Sequence, residues 1–219
     1  MSRAVEFEAA MRHHRLVAIL RGIGDEELPG LVDALVESGV RVIEVSLSDP
    51  GALAQVEALR RHAPAGVLVG AGTVTSARAA AEAAERGASF LVTPHVTLDV
   101  IDFANYNDLG VLCGVMTPTE AATAREAGAR LLKLFPAGVL GPGYVKQMLG
   151  PYPHLELFAV GGVSSANAAD FIAAGAAGVG VGGALSRPGG LADGFAAARR
   201  EARALVEVVR ASAPSGSST

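Results

Sequence analysis

"RLVAILRGIGDEELPGLVDALVESGVRVIEVSL", residues 15–47, decides the fold. Two β-branched runs, "RLVAILRGI" from 15 and "VRVIEVSL" from 40, flank "DEELPGLVDALVESG", whose apolar residues recur at helical spacing and whose last glycine suits a helix end. The stretch reads as strand, helix, strand. Neither strand alternates apolar with polar residues, which is the pattern of a parallel sheet covered on both faces. Outward from it the unit repeats. "VLVGAGTV" from 67, "FLVTPH" from 90, "VLCGVM" from 111, "LLKLFP" from 131, "LELFAV" from 155 and "GVGVGG" from 178 bring the runs to eight. Between them lie helical segments such as "TSARAAAEAAERG" and "TPTEAATAREAG". Eight βα units in a chain of 219 residues predict an α/β fold, a closed (β/α)8 TIM barrel, with an open doubly wound sheet as the alternative. The residues before Leu16 are expected to form a short extra helix across the barrel bottom. Residues 1–210 are expected to form one domain, and "ASAPSGSST" from 211 a mobile polar tail.

Composition narrows the function. Half the residues are hydrophobic, yet no stretch offers about eighteen uninterrupted apolar residues, and the N-terminus lacks the layout of an export signal. No membrane partner and a cytoplasmic location are expected. The single cysteine, Cys113, forms no internal disulfide and sits in "VLCGVM" as a small buried residue would. A net charge of −4 offers no broad basic surface, so no nucleic-acid partner is expected. The five histidines have no ligand spacing, and neither metal nor other cofactor is expected. The partner is a small molecule.

In a barrel of this kind catalytic groups lie at the C-terminal ends of the strands. Those ends carry Arg21, Glu44, Thr73, Thr93 with His95, Thr117, Lys133, the pair Gly161 and Gly162, and the pair Gly182 and Gly183. Lys133 stands out. The chain holds 16 arginines but only two lysines, so a lysine inside an apolar strand suggests a need for an amine. A desolvated ammonium loses its proton more easily, and the neutral amine attacks carbonyl carbon to form a Schiff base. Glu44, between Ile43 and Val45, is a carboxylate on a core strand, costly unless it has a partner or a task. Together they suit retro-aldol chemistry, with lysine as nucleophile and glutamate as proton shuttle. The plainer alternatives are a lysine that reaches out of the barrel mouth and a Glu44–Lys133 ion pair that fills the barrel. "AVGGVSSAN" and "GVGVGGAL" place paired glycines after strands seven and eight, where backbone N–H groups can face a phosphate, with Ser164 as the expected cap of the helix that follows. "GAGT" at 70–73 lacks the third glycine of a dinucleotide site.

Taken together, "AILRGI", "RVIEVSLSDP", "VGAGTV", "LVTPH", "CGVMTPTEA", "LLKLFPAGVLGP" and "AVGGVSSAN" resemble the 2-keto-3-deoxy-6-phosphogluconate / 6-phosphogalactonate aldolase family, in collinear order from about residue 14 to 205. The resemblance implies a metal-free class I aldolase, a trimeric barrel that forms pyruvate and glyceraldehyde 3-phosphate. It assigns Lys133 to the Schiff base and Glu44 to general acid/base work. Arg21, Thr73, Pro94 and Phe135 fall to the carboxylate and pyruvate end, and Gly161, Gly162, Gly182 and Gly183 to phosphate. Ser48 stands where gluconate-type members have an arginine, and with Arg21 in "AILRG" this makes the phosphogalactonate type the nearer match, while Ala184 stands where they have a serine and leaves phosphate to backbone donors. A 4-hydroxy-2-oxoglutarate-type aldolase, a phosphosugar isomerase or synthase on the same barrel, and a non-enzymatic phosphosugar-binding subunit are the competing readings.

Overall fold

A computed structural model describes residues 2–186 and 193–211. Eight parallel strands close into a barrel in sequence order: β1 (Leu16–Leu20), β2 (Val42–Ser46), β3 (Leu68–Gly72), β4 (Phe90–Val92), β5 (Gly110–Val115), β6 (Leu131–Leu134), β7 (Glu156–Val160) and β8 (Gly178–Val181). β8 pairs back onto β1, with Val17 beside Gly180, so the sheet has no edge. The open-sheet alternative is thereby excluded. The expected tail lies outside the described residues, apart from Ala211.

Strand periodicity divides the apolar residues between two cores. Outward-facing positions such as Ala18, Ile43, Val45, Val69, Leu132 and Leu157 pack under the helices. Inward-facing Val17, Val42, Phe90, Leu112, Leu131 and Phe158 fill the lower half of the barrel. The N-terminal helix, Arg3–His14, closes that lower end as expected. Its Phe7 and Met11 are fully buried, and the Phe7 ring stacks on Phe90 at 4.5 Å between centroids. Gly110 leaves the space that the Phe7 ring occupies, since a Cβ there would overlap it. The helix is pinned at its start by Asp108, whose carboxylate accepts from the Ser2 hydroxyl and from the N–H groups of Arg3 and Ala4.

Above this apolar plug the interior turns polar. Glu44 follows Val42 by two residues and Lys133 follows Leu131 by two, so both keep the inward face. Register places Lys133 between Gly114 on β5 and Phe158 on β7, and Glu44 between Ile19 on β1 and Gly70 on β3.

Candidate active site

Lys133 is buried, at 7% exposure, and Glu44 at 1%. Among the described residues no ion pair or hydrogen bond joins them, and Glu44 Oε2 has no hydrogen-bond partner. The barrel-filling ion pair is therefore not what forms. Burial pushes the Glu44 carboxyl well up from its ordinary value, and the positive charges of Lys133 and Arg21 draw it part of the way back. A carboxyl so placed holds a proton nearer neutrality than an exposed glutamate does. Gly72, across the β2–β3 pair from Ser46, is what admits this carboxylate, because a Cβ at Gly72 would collide with it.

The upper barrel opens into a cavity of about 330 Å³, lined by Lys133, Arg21, Phe135, Ile19 and Val160 and by the glycines of the last two strand ends. Phe135 stands at its mouth, 41% exposed, with the Lys133 Nζ 5.3 Å from its ring centroid. Arg21 leaves the end of β1, exposed toward the mouth, and its Nη2 lies 3.5 Å from Thr73 Oγ1. Thr73 holds a left-handed backbone, φ 58°, costly for a β-branched residue. Its hydroxyl is 2.8 Å from Ser46 Oγ, and Ser46 Oγ is 2.9 Å from Ser48 Oγ. A chain of three hydroxyls thus runs from the top of β2 to Arg21. Pro94 lies half-buried after β4, its carbonyl packed where a Cβ at Gly114 would go, and does not line the cavity.

The loops after β6, β7 and β8 meet around the same cavity. Gly161 and Gly162 have φ of 90° and 74°, and Gly138 N–H donates to Gly161 O at 2.7 Å. At these two positions any other residue would be strained, and at Gly161 its side chain would strike the Phe135 ring. Gly183 is different. Among the described residues no atom lies within 4 Å of where its Cβ would stand, so none of them requires glycine there.

Some expectations need correction. Ser164 does not cap the next helix, which begins only at Ala168 behind Asn167 and is six residues long. Asn167 instead braces the loop, accepting from Ser164 N–H at 2.9 Å and donating to Gly162 O at 2.9 Å. The polar residues Thr117 and Thr93 are structural. Thr117 closes a capping box with Glu120, and Thr93 Oγ1 donates to His95 O at 2.7 Å. His95 is an exposed rim residue, its Nδ1 beside Val96 O and Thr97 Oγ1. Ser46 was not singled out from the sequence, although its place two residues after Glu44 puts it on the same inward face. Among the described residues no group of three or more His, Cys, Asp or Glu side chains is placed to hold a metal ion, and no helix is long and apolar enough to cross a membrane.

Comparison with known proteins agrees with this geometry. A family model described as KDPG and KHG aldolase matches residues 7–194. The probable 2-dehydro-3-deoxy-6-phosphogalactonate aldolase of Rhizobium meliloti is 43% identical over 175 residues, 80% of this chain and 82% of that one. The 2-dehydro-3-deoxy-6-phosphogalactonate aldolase of Escherichia coli is 39% identical over 175 residues, 80% of this chain and 85% of its own length. A solved structure described as native KDPGal superposes with a TM-score of 0.84 at 36% identity, covering 90% of this chain and 95% of the other. A closed barrel with a buried lysine and an unpaired buried glutamate below interlocked glycine loops, matched along most of its length, places this chain in the KDPG and KHG aldolase family.

Proposed function

We propose that the chain is a class I aldolase that cleaves 2-keto-3-deoxy-6-phosphogalactonate to pyruvate and glyceraldehyde 3-phosphate through a Schiff base on Lys133. The observation that carries the proposal is the placement of Lys133 and Glu44, both buried and both on the inward face of the barrel with no ion pair between them among the described residues, Lys133 lining the cavity at the strand ends.

The residues divide the work as follows. The Lys133 amine adds to the C2 ketone and water leaves, giving an iminium that withdraws electrons from the C3–C4 bond. Glu44 takes the C4 hydroxyl proton as that bond breaks. The aldehyde departs and the bonding pair moves into the enamine. A proton returned to C3 and hydrolysis of the iminium release pyruvate and restore the amine. Arg21 and Thr73 hold the substrate carboxylate, with Phe135 as a pocket wall. Backbone N–H groups of Gly161, Gly162, Gly182 and Gly183 take the phosphate, and the open space at Gly183 suits a ligand that approaches the backbone directly. We further propose that residues 1–210 act as one domain, and that the enzyme works as a homotrimer in the cytoplasm without metal or other cofactor. A neighbour at 36% identity is a cage designed by fusing symmetric oligomeric domains, which supports the oligomeric part.

A second substrate reading is 4-hydroxy-2-oxoglutarate. It is favoured by Ala184, which lines the cavity without a side-chain donor for phosphate, and by a relative at 33% identity named KHG/KDPG aldolase. The deciding experiment for the chemistry is reduction with sodium borohydride in the presence of pyruvate, read by intact mass and peptide mapping. A pyruvyl adduct on Lys133 and none on exposed Lys146 is the expected result. An isomerase, a synthase or a binding subunit gives no adduct.

A further inference from the structure

We propose that the N-terminal end of the barrel, opposite the catalytic cavity, carries a second small-molecule site, formed by His13, His14, Arg41 and Arg210 and fitted to a phosphate group. These side chains line a cavity of about 210 Å³ whose remaining walls are apolar, chiefly Leu16, Val40 and the helix residues Val206 and Val209. That volume admits a phosphate and a few carbon atoms.

The four groups come from three parts of the chain. His13 and His14 end the N-terminal helix, Arg41 stands just before β2, and Arg210 lies in the last turn of the helix Ala196–Ala211. Among the described residues no carboxylate lines the cavity. Six arginines, Arg12, Arg61, Arg78, Arg86, Arg130 and Arg199, each pair with a glutamate, while others such as Arg3, Arg60 and Arg203 do not among the described residues. Among the described residues Arg41 and Arg210 make no such pair. Arg41 is held in place by its Nη1, which donates to Val36 O and Val40 O at 2.8 Å each, and among the described residues its other N–H groups take no acceptor. Arg15, next in sequence to His14, turns its guanidinium to the carbonyls of Ala177, Ala176 and Val209.

Basic residues at helix C-termini gain from the helix dipole, and that explains one charge at each helix end. It does not explain why four converge on one concave surface without an acid. Their repulsion shows at His14, whose protonation is disfavoured first by burial and then by His13, Arg41 and Arg210. A dianion in the cavity reverses that balance, because it replaces three repulsions with charge-assisted hydrogen bonds. The site is separate from the catalytic one, since Leu16 and Arg41 stand at the start of β1 and β2 whereas Arg21 and Glu44 lie toward their ends.

The test uses the intact protein and imidazole resonances in NMR. Inorganic phosphate and glycerol 3-phosphate are titrated separately against sodium chloride at matched ionic strength, with His154 as the remote control. Saturable shifts of His13 and His14 with phosphate, absent with chloride, are expected. Equal affinity for the two phosphates identifies the phosphate group itself as the ligand, and tighter binding of glycerol 3-phosphate identifies an ester. Arg41 braces the entry to β2, so Arg210→Ser is the cleaner variant: binding should weaken about tenfold, the loss of one charged hydrogen bond. Pyruvate trapping at Lys133 should be unchanged in that variant. Shifts that chloride reproduces, or an affinity untouched by both Arg210→Ser and the double variant His13→Gln/Arg210→Ser, would overturn the proposal.

Discussion

Glu44 and Lys133, on β2 and β6, share the interior of the barrel with 1% and 7% exposure, yet among the described residues no ion pair joins them and Glu44 Oε2 has no hydrogen-bond partner. A buried pair in contact would neutralise both groups and leave neither free for chemistry. Held apart, each keeps its reactive atoms. The cost of burying an unsatisfied carboxylate is lowered by protonation, which is the direction in which burial moves Glu44. The same arrangement gives the reaction an acid and a base in one residue.

Glu44→Gln separates these roles. Loss of a general acid/base typically costs about 10²- to 10⁴-fold in rate, so kcat should fall by that order while pyruvate trapping on Lys133 survives in part. Steady-state assay and borohydride trapping on the same folded sample check it. Unchanged turnover would remove Glu44 from the mechanism.

The variant also has a pH signature. The folded carboxyl of Glu44 is raised above its ordinary value of 4.5, so the folded state binds its proton more tightly than the unfolded chain does. Its contribution to stability is therefore full below about pH 4.5 and is lost as pH rises through the folded value. Glu44→Gln carries no such proton. Denaturant melts of the two proteins across pH should converge at low pH, with the wild type losing ground to the variant as pH increases. A difference that grows in the opposite direction contradicts the burial argument.

Gly72→Ala tests positioning without touching a catalytic atom. The added methyl collides with the Glu44 carboxylate, a side chain that can turn aside. The expected outcome is a loss in kcat approaching that of Glu44→Gln, with trapping at Lys133 and far-UV circular dichroism retained. Normal turnover would mean that the carboxylate has room to spare.

At the other end of the barrel Phe7 is the residue to remove. It is fully buried, stacked on Phe90 and seated in the space left by Gly110. Phe7→Ala should destabilise by about 3–5 kcal/mol, as large aromatic truncations in cores do. Urea denaturation measures it. A loss under about 1 kcal/mol would show that the N-terminal helix is not part of the cooperative core.

Much of this was legible because it is local. The strand-helix-strand unit of residues 15–47 repeats with its own apolar pattern, and Lys133 is conspicuous in a chain with only two lysines. What stayed hidden depends on residues far apart in sequence. The glycines of "GAGT" looked like an incomplete nucleotide motif, whereas Gly70 makes room for the Phe90 ring and Gly72 for Glu44, each on the neighbouring strand. Ser164 looked like a cap because it follows two glycines, but Asn167 supplies the bracing and moves the helix start onward. Thr117 and Thr93 shared the strand-end position with Lys133, and only their hydrogen bonds show that they serve a helix start and a loop. The basic cavity below the barrel draws on residues 13, 41 and 210, which no window of sequence brings together.

The last prediction concerns the substrate. Arg21 and Lys133 line one cavity, and Arg21 is tied toward β2 and β3 by its approach to Thr73. Gluconate-type members place an arginine at the position of Ser48, and here Ser48 only shares a hydrogen bond with Ser46. The carboxylate must then rely on Arg21. The relatives at 43% and 39% identity are named for the phosphogalactonate substrate, against 33% for a named phosphogluconate aldolase. The 6-phosphogalactonate epimer should therefore have the higher kcat/KM. Arg21 is exposed toward solvent, so the cost of Arg21→Ala belongs at the low end for a charged contact, about 2 kcal/mol or roughly 30-fold in kcat/KM. Arg21→Lys should recover less than the full loss, because one ammonium cannot reproduce a forked contact. The two substrates differ at C4, beside the breaking bond, so the cavity walls must discriminate along with Arg21. Assay of both epimers with wild type and Arg21→Ala decides the matter. A preference for the gluconate epimer with Arg21→Ala nearly silent would move the carboxylate to another partner and leave the lysine chemistry standing.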